Sequence, residues 1–359
     1  MNIPLFDLKR IIKKHEKELK SSFERCLDHS KFIMGPEVAS FEGAFAKKVG
    51  ANYCISSSSG TDALLSIFMA LDLEPGSEIL VPSFTFIASA SSIVRAGLKP
   101  VFVDLAPGSF HPSCDTIERA WTKNTKGVLF VHLFGEPEDL SQIKKLCDRK
   151  GAVLIEDCAQ SYGSTAGQTG LASAYSFFPA KNLGCLGDGG AVTTNDLDFA
   201  EKIKTIRTHG SRVKYSYESL GGNFRMDTIQ AGFLNVLLKH ADSWIDARRQ
   251  NAAYYSSYLQ ATEGLILPGE CEGHAWNQYT IITNRRDELK KYLDDDNIGN
   301  AIYYPIPLHR SKGIFGSSNI LSETDKRCGE VLSIPVYPGL KKSERKIIAN
   351  KIKEFFNDT

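Results

Sequence analysis

Ser176-Phe177-Phe178-Pro179-Ala180-Lys181-Asn182-Leu183-Gly184, followed by glycines at 187, 189 and 190, places one lysine between an apolar strand-like run and a glycine-dense turn. A surface lysine is the ordinary reading of an isolated lysine. Here Phe177, Phe178, Pro179 and Leu183 are placed to desolvate it, and desolvation lowers a lysine pKa from about 10.4, leaving an amine able to attack an aldehyde. Upstream, Ala152-Val153-Leu154-Ile155 runs into Glu156 and Asp157, so Asp157 precedes Lys181 by 24 residues (181 − 157). A carboxylate following four apolar residues is costly to bury unpaired. A salt bridge, a helix cap or a protonated pyridine nitrogen would each answer that cost. The last has a chemical purpose, because a ring nitrogen kept protonated makes a better sink for carbanion electrons. Together the lysine and the aspartate point to pyridoxal phosphate.

Working outward, β-rich runs at 53–55, 78–81, 101–104, 128–133, 152–156, 174–178 and 191–194 alternate with helical patterns. That alternation predicts a mainly parallel sheet wrapped by helices, an α/β fold. A crossover helix reads over 60–73, with Ala63, Leu64, Ile67, Phe68 and Leu71 on one stripe, and another over 138–149, stopping near Gly151. A long helical pattern over 226–260, bent around His240-Ala241-Asp242, links to short strands at 278–283 and 301–304 and helices at 286–293 and 343–356. The expected organisation is a large domain over 1–240 with an N-terminal arm, and a smaller α+β domain over 241–359. A chain of 359 residues suits such a division.

Composition narrows the function classes. A formal net charge of +1 gives no electrostatic reason to expect nucleic acid or an anionic membrane as partner. The N-terminal twenty residues are rich in lysine and acid without an apolar signal core, and nowhere do 18 apolar residues run together, so the expectation is a cytoplasmic protein without membrane insertion. Eight cysteines without any C-x-x-C pair read as free, structural thiols, with no metal site expected.

In open α/β sheets ligands collect beyond the carboxyl ends of the strands. After the first strand comes Ser56-Ser57-Ser58-Ser59-Gly60-Thr61, where a helix N-terminus with hydroxyls from Ser59 and Thr61 would favour a phosphate. The same residues also fit a plain capping box. There is no G-x-x-x-x-G-K-[ST] run, which removes a nucleoside-triphosphate P-loop. After the second strand, Pro82-Ser83-Phe84-Thr85-Phe86 offers Phe86 either as a stacking ring for a flat heterocycle or as a core residue.

These segments, with Gly35-Pro36-Glu37-Val38, Glu156-Asp157-Cys158-Ala159-Gln160, Gly222-Asn223-Phe224-Arg225-Met226-Asp227 and Tyr304-Pro305-Ile306-Pro307-Leu308-His309, resemble the DegT/DnrJ/EryC1/StrS sugar aminotransferases over almost the whole chain. The resemblance implies a fold-type I pyridoxal-phosphate enzyme acting as a homodimer. Its reaction would pass the amino group of L-glutamate to a keto group on a nucleotide-linked sugar, a transaminase of class EC 2.6.1, for polysaccharide, lipopolysaccharide or other glycoconjugate biosynthesis. It further implies that Lys181 holds the cofactor covalently and moves the proton, that Asp157 pairs with the pyridine nitrogen, that Gln160 reaches the phenolic oxygen and that Phe86 stacks on the ring. Ser59, Gly60, Thr61 and Ser176 would hold the phosphate, and Asn223 would arrive from the partner subunit. Arg225, Tyr303, Tyr304 and His309 are the candidates for sugar or diphosphate contacts.

By the same resemblance the segment from Tyr304 to His309 is most similar to members acting on 3-keto sugars, whether UDP-linked 2-acetamido-3-oxo sugars or dTDP-linked 3-keto-6-deoxyhexoses. Two positions depart from the family pattern. Cys158 stands where a small apolar residue is frequent, and Glu136 where glutamine is common. Two other functions compete. A sugar dehydratase of the same fold carries histidine in place of the lysine, and a regulatory protein keeps the fold without turnover, since fold alone does not establish function.

Overall fold

The computed structural model describes residues 2–316 and 319–357. In chain order the main elements are α1 (Leu8–His29), α2 (Pro36–Val49), β1 (Tyr53–Ser57), α3 (Gly60–Ala70), β2 (Glu78–Pro82), α4 (Ile87–Arg95), β3 (Lys99–Val103), α5 (Cys114–Ala120), β4 (Thr125–Val131), α6 (Ser141–Lys150), β5 (Val153–Asp157), β6 (Ala172–Ser176), β7 (Gly190–Thr194) and α7 (Leu197–Arg207). They continue as β8 (Ser211–Val213), β9 (Ser216–Tyr217), α8 (Thr228–Leu237), α9 (Ala241–Leu259), β10 (Tyr279–Ile282), α10 (Arg286–Asp295), α11 (Ser322–Glu330), β11 (Val331–Ile334) and α12 (Lys342–Asn357).

Seven strands form one sheet in the order β1-β7-β6-β5-β4-β2-β3. Pairings from β3 through β6 are parallel, and β7 runs antiparallel to both β6 and β1. Successive strand residues face opposite sides of a sheet. Accordingly Leu154 packs with Ile117, Leu146 and Phe130 beneath α5 and α6, while Ile155 packs with Leu64, Ile67 and Ile203 beneath α3 and α7. A third packing region joins Phe41 and Phe45 of α2 and Leu234 of α8 to Tyr175 and Phe177. Both faces are covered, so the architecture is α/β with a mostly parallel sheet, as the alternation predicts. None of the helices among the described residues is long and apolar enough to cross a membrane.

The sequence pattern differs from the structure in informative places. The helix expected over 226–260 is two helices, α8 and α9, separated at Leu238–His240 close to the expected bend. The strand expected over 301–304 is reduced to a single bridge from Ala301 to Ser333. Helix α1 lies where the sequence pattern offers only an N-terminal arm; its apolar stripe, with Ile11, Leu19 and Cys26 buried, runs through a segment dominated by lysines and acids.

The C-terminal region has its own core, in which Tyr255, Tyr279, Leu289, Leu332, Ile348 and Ile352 are buried. Ile3 belongs to this core, fully buried, and is held by Ile3 N–H to Asn297 O (3.0 Å) and Gly299 N–H to Ile3 O (2.7 Å). The chain start therefore straps onto the C-terminal region before α1 packs on α8. Arg10 secures the strap with two bonds to the Glu344 carboxylate, 2.6 and 2.8 Å, and one to Gly339 O, 3.2 Å. The Arg10 hydrogen bond holds the Glu344 carboxyl below its ordinary range, against the opposing effect of burial. A carboxyl lowered in the folded state stabilises above its unfolded pKa and loses that contribution as pH falls through the folded pKa. Arg10→Ala is expected to destabilise the protein by roughly 1.5–3 kcal/mol near neutrality. Thermal melts of the two proteins against pH check this: the gap should shrink as pH drops below about 4.3, the usual glutamate value.

Candidate active site

A cleft of about 490 Å³ opens at the carboxyl ends of the parallel strands, where β1, β2, β4, β5 and β6 each deliver their following residues. Asp157 is the last residue of β5, and strand alternation sends it and Glu156 to opposite sides. Glu156 is fully engaged in structure: it accepts from the backbone N–H groups of Gly167 (2.8 Å), Thr169 (2.7 Å) and Gly170 (2.6 Å) and pairs with His132 Nε2 at 2.9 Å. Burial works to raise its pKa, and the His132 hydrogen bond and charge with those N–H donors bring it below normal. It fastens the loop after β5, while Asp157 lines the cleft, as Asp188 also does.

Asp157 is 5% exposed and accepts from Ser89 Oγ (2.8 Å) and Ala159 N–H (3.0 Å), and Ser89 in turn bonds Thr85 Oγ1 at 3.1 Å. Burial nevertheless raises the Asp157 pKa above the usual carboxylate range, outweighing these donors and the charge of Lys181. The salt-bridge and helix-cap alternatives are not what the structure displays. A buried carboxylate so placed has unmet demand for a cation.

Lys181 lies in the same cleft. Its loop is tightly bound: Lys181 N–H reaches Phe178 O (2.8 Å), Cys185 N–H reaches Phe177 O (2.8 Å), and Asn182 Nδ2 donates to Tyr162 O (3.1 Å) and Ala275 O (2.8 Å). Gly184 admits no side chain, since a Cβ there would approach Pro179 O to 2.6 Å. Burial lowers the Lys181 pKa to about 8, opposed by the charge of Asp157. The fixed loop thus presents an amine with a sizeable neutral fraction near neutrality.

Ser59 caps α3, its Oγ accepting from Asp62 N–H at 3.0 Å, so the capping reading of this turn is realised. Ala63 N–H is taken by Ser59 O, while among the described residues nothing bonds the N–H groups of Gly60 and Thr61. Both residues line the cleft, next to Ser176. A Cβ on Gly60 would meet Ser176 Cβ at 2.7 Å, and one on Gly190 would meet Ser59 carbonyl atoms at 2.4 Å, so the glycines permit the close approach of turn and strand. Unpaired N–H groups at a helix start favour an anion.

Phe86 is not core: it is 55% exposed, lines the cleft, and lies 6.2 Å from the Tyr304 ring. Gln160 Oε1 accepts from Phe134 N–H at 2.6 Å, leaving its amide nitrogen as donor. Tyr303 and Tyr304 both line the cleft, and burial raises both hydroxyl pKa values. His309 does not line it. It is fully buried, with Nδ1 2.7 Å from Ser83 Oγ and Nε2 3.4 Å from Asp325 Oδ1, fastening the 304–309 segment to the end of β2. Asn223 is exposed and bridged to Thr208 outside the cleft of its own chain, and Arg225 lies beside it with a buried, unpartnered Nε. Glu136 is directed toward His111 (3.8 Å), and burial raises its pKa.

Sequence reasoning passed over Ser89, Asn277 and Gln278, which line the cleft. Ser89 lies within α4 where no strand end or glycine marks it, and the other two come from the C-terminal half. Tested against pyridoxal phosphate, the residues fit: an anion cradle at Gly60 and Thr61, an exposed ring at Phe86, a cation-seeking carboxylate at Asp157 and a poised amine at Lys181. Because Lys181 is protonated below about 8 and free above it, amine-selective acylation of cofactor-free protein should label Lys181 with a pH midpoint near that value. Peptide mass spectrometry across pH checks this, and Lys181→Ala should remove the label.

Residues 13–353 match the model of the DegT/DnrJ/EryC1/StrS aminotransferase family. The chain is 39% identical to a pleiotropic regulatory protein of Geobacillus stearothermophilus, covering 99% of both chains. It is 36% identical to dTDP-3-amino-3,4,6-trideoxy-alpha-D-glucose transaminase of Streptomyces venezuelae, covering 98% of this chain and 96% of that one. The crystal structure of S. venezuelae DesV in complex with a ketimine intermediate superimposes with a TM-score of 0.95 at 36% identity, over 99% of this chain and 98% of that one.

Proposed function

Since this chain belongs to the DegT/DnrJ/EryC1/StrS aminotransferase family, we propose that it is a pyridoxal-phosphate-dependent transaminase passing the amino group of L-glutamate to a 3-keto sugar linked to a nucleotide. The observation that carries this reading is a lysine lowered to about 8 in one cleft with a buried, cation-seeking aspartate. The S. venezuelae transaminase, whose name specifies a dTDP-linked 3-amino sugar, supports the substrate class. The reading includes a division near residue 240 into a cofactor-binding and a C-terminal domain, and a cytoplasmic location.

Pyridoxal phosphate, when bound, supplies an aldehyde carbon for amine exchange and an electron-accepting ring. Gly60 and Thr61 N–H groups, with the hydroxyls of Ser59, Thr61 and Ser176, would hold its phosphate; Phe86 would cover its ring; Gln160 would donate toward its phenolic oxygen. Asp157, kept in place by Ser89 and Ala159, would stay anionic against the ring nitrogen and hold the proton there. Lys181 would be the covalent anchor of the cofactor, and its free amine would take the proton from the glutamate α-carbon and, in the second half-reaction, return one to the former keto carbon of the sugar. Arginine does not serve this role because its guanidinium remains protonated.

Asn223 and Arg225, outside the cleft of their own chain, are assigned to the partner's site in a homodimer, with Tyr303 and Tyr304 contacting sugar. The Geobacillus relative is named a pleiotropic regulatory protein, which sets a regulatory role beside the enzymatic one. Glutamate separates the two. Cofactor-loaded protein should release one 2-oxoglutarate per site, and Lys181→Ala should lose the reaction. Asp157→Asn should slow it by at least about a hundredfold, the scale of losing a preorganised charge. Liquid chromatography of the products reads both, and parent protein that leaves glutamate unchanged favours the regulatory reading. Mixing inactive Lys181→Ala and Asn223→Ala chains should restore part of the sugar-amination rate through heterodimers; mixtures as inactive as their parents contradict shared sites.

A further inference from the structure

Away from the cleft, His15 and Glu18 of α1 project from one helical face, three residues apart, toward His240 at the start of α9. The His15 and His240 rings stack at 3.9 Å with a 26° tilt. Glu18 Oε1 faces both, 3.6 Å from His15 Nδ1 and 3.2 Å from His240 Nε2, and the three ligand atoms all lie within 4.8 Å of one another. We propose that His15, Glu18 and His240 form a binding site for a divalent cation of the zinc class, separate from the cleft that holds Lys181.

The distances suit coordination. With metal–nitrogen and metal–oxygen bonds of about 2.0–2.2 Å, tetrahedral ligand atoms stand about 3.3–3.5 Å apart. The two Glu18 distances bracket that separation, and the stacked imidazoles would turn apart so that a nitrogen of each faces one cation. Two imidazoles and one carboxylate, with the fourth position left to water, is a donor set that zinc accepts. Exposure of 12%, 47% and 31% for the three side chains leaves a route from solvent.

Among the described residues, two other clusters with metal-ligating groups lack this capacity. At Cys26, His29 and Glu37, His29 Nδ1 already accepts from Lys31 N–H (3.0 Å) and Nε2 is 3.2 Å from both Glu37 oxygens. At His132, Glu156 and Cys158 all three are buried, and Glu156 is saturated by backbone donors. The His15 site also has a structural consequence. It would pin α1 to the α8–α9 junction beside Trp244, whose ring lies 5.7 Å from His15 and which borders the small gap behind Lys181.

Isothermal titration of chelator-treated full-length protein with zinc chloride tests the assignment. One saturable equivalent is expected, weakened at least tenfold by His15→Gln and by His240→Gln. Glu18→Gln alters a half-exposed side chain and should weaken uptake with the melting temperature of the metal-free protein preserved. Uptake should be unchanged in His29→Gln and in Cys271→Ser, which removes the exposed thiol. Parent protein without saturable uptake, uptake retained in both His15→Gln and His240→Gln, or uptake lost in His29→Gln or Cys271→Ser overturns the proposal.

Discussion

A carboxylate at the end of a central parallel strand, shut away from water, must find positive charge or give up its own. Asp157 is in that position, and the cleft is organised around it. Ser89 and Ala159 satisfy part of its demand, and burial still raises its proton affinity. The same burial lowers Lys181, for which Asp157 is the opposing charge. A site that desolvates both an acid and an amine is primed for a cationic heterocycle carrying an aldehyde, which meets the needs of each.

The fold serves this arrangement by bringing distant segments to one edge. Residues following β1, β2, β4, β5 and β6 meet at the cleft, and the C-terminal half adds Asn277, Gln278, Tyr303 and Tyr304. Alternation along β5 divides the labour of two adjacent acids, Glu156 fastening the loop beyond the strand and Asp157 facing the cleft. The strap formed by Ile3 and Arg10 joins the chain start to the C-terminal core, so both halves of the cleft rest on one connected framework.

Much of this was legible because it follows strand ends. Lys181, Asp157, Ser59, Gly60, Thr61 and Phe86 come at or just after apolar runs, where the change in periodicity and the glycine density are visible, whereas Ser176 and Gln160 are marked only by the family resemblance; the structure gathers all of them around one cleft. The parallel sheet was legible from the same alternation, and the break near His240 from a polar interruption in the helical stripe. What escaped depends on contacts far apart in sequence. Ser89 acquires its place only when the fold brings α4 to the end of β5, where its hydroxyl meets Asp157, 68 residues away in sequence. Helix α1 carries a regular apolar stripe that its many lysines and acids mask. His309 looks in sequence like a ligand-contacting group, yet Ser83, 226 residues away, receives it in the interior. His15, Glu18 and His240 share no motif spacing, since a helix start brings the third to the first two.

The central claim is that Lys181 is the amine that holds the cofactor. Borohydride reduction of the pyridoxal-phosphate-loaded protein, followed by peptide mass spectrometry, tests it most directly. The account predicts a single phosphopyridoxyl adduct on the peptide containing Lys181. An adduct on a different lysine, or none at saturating cofactor, would contradict it.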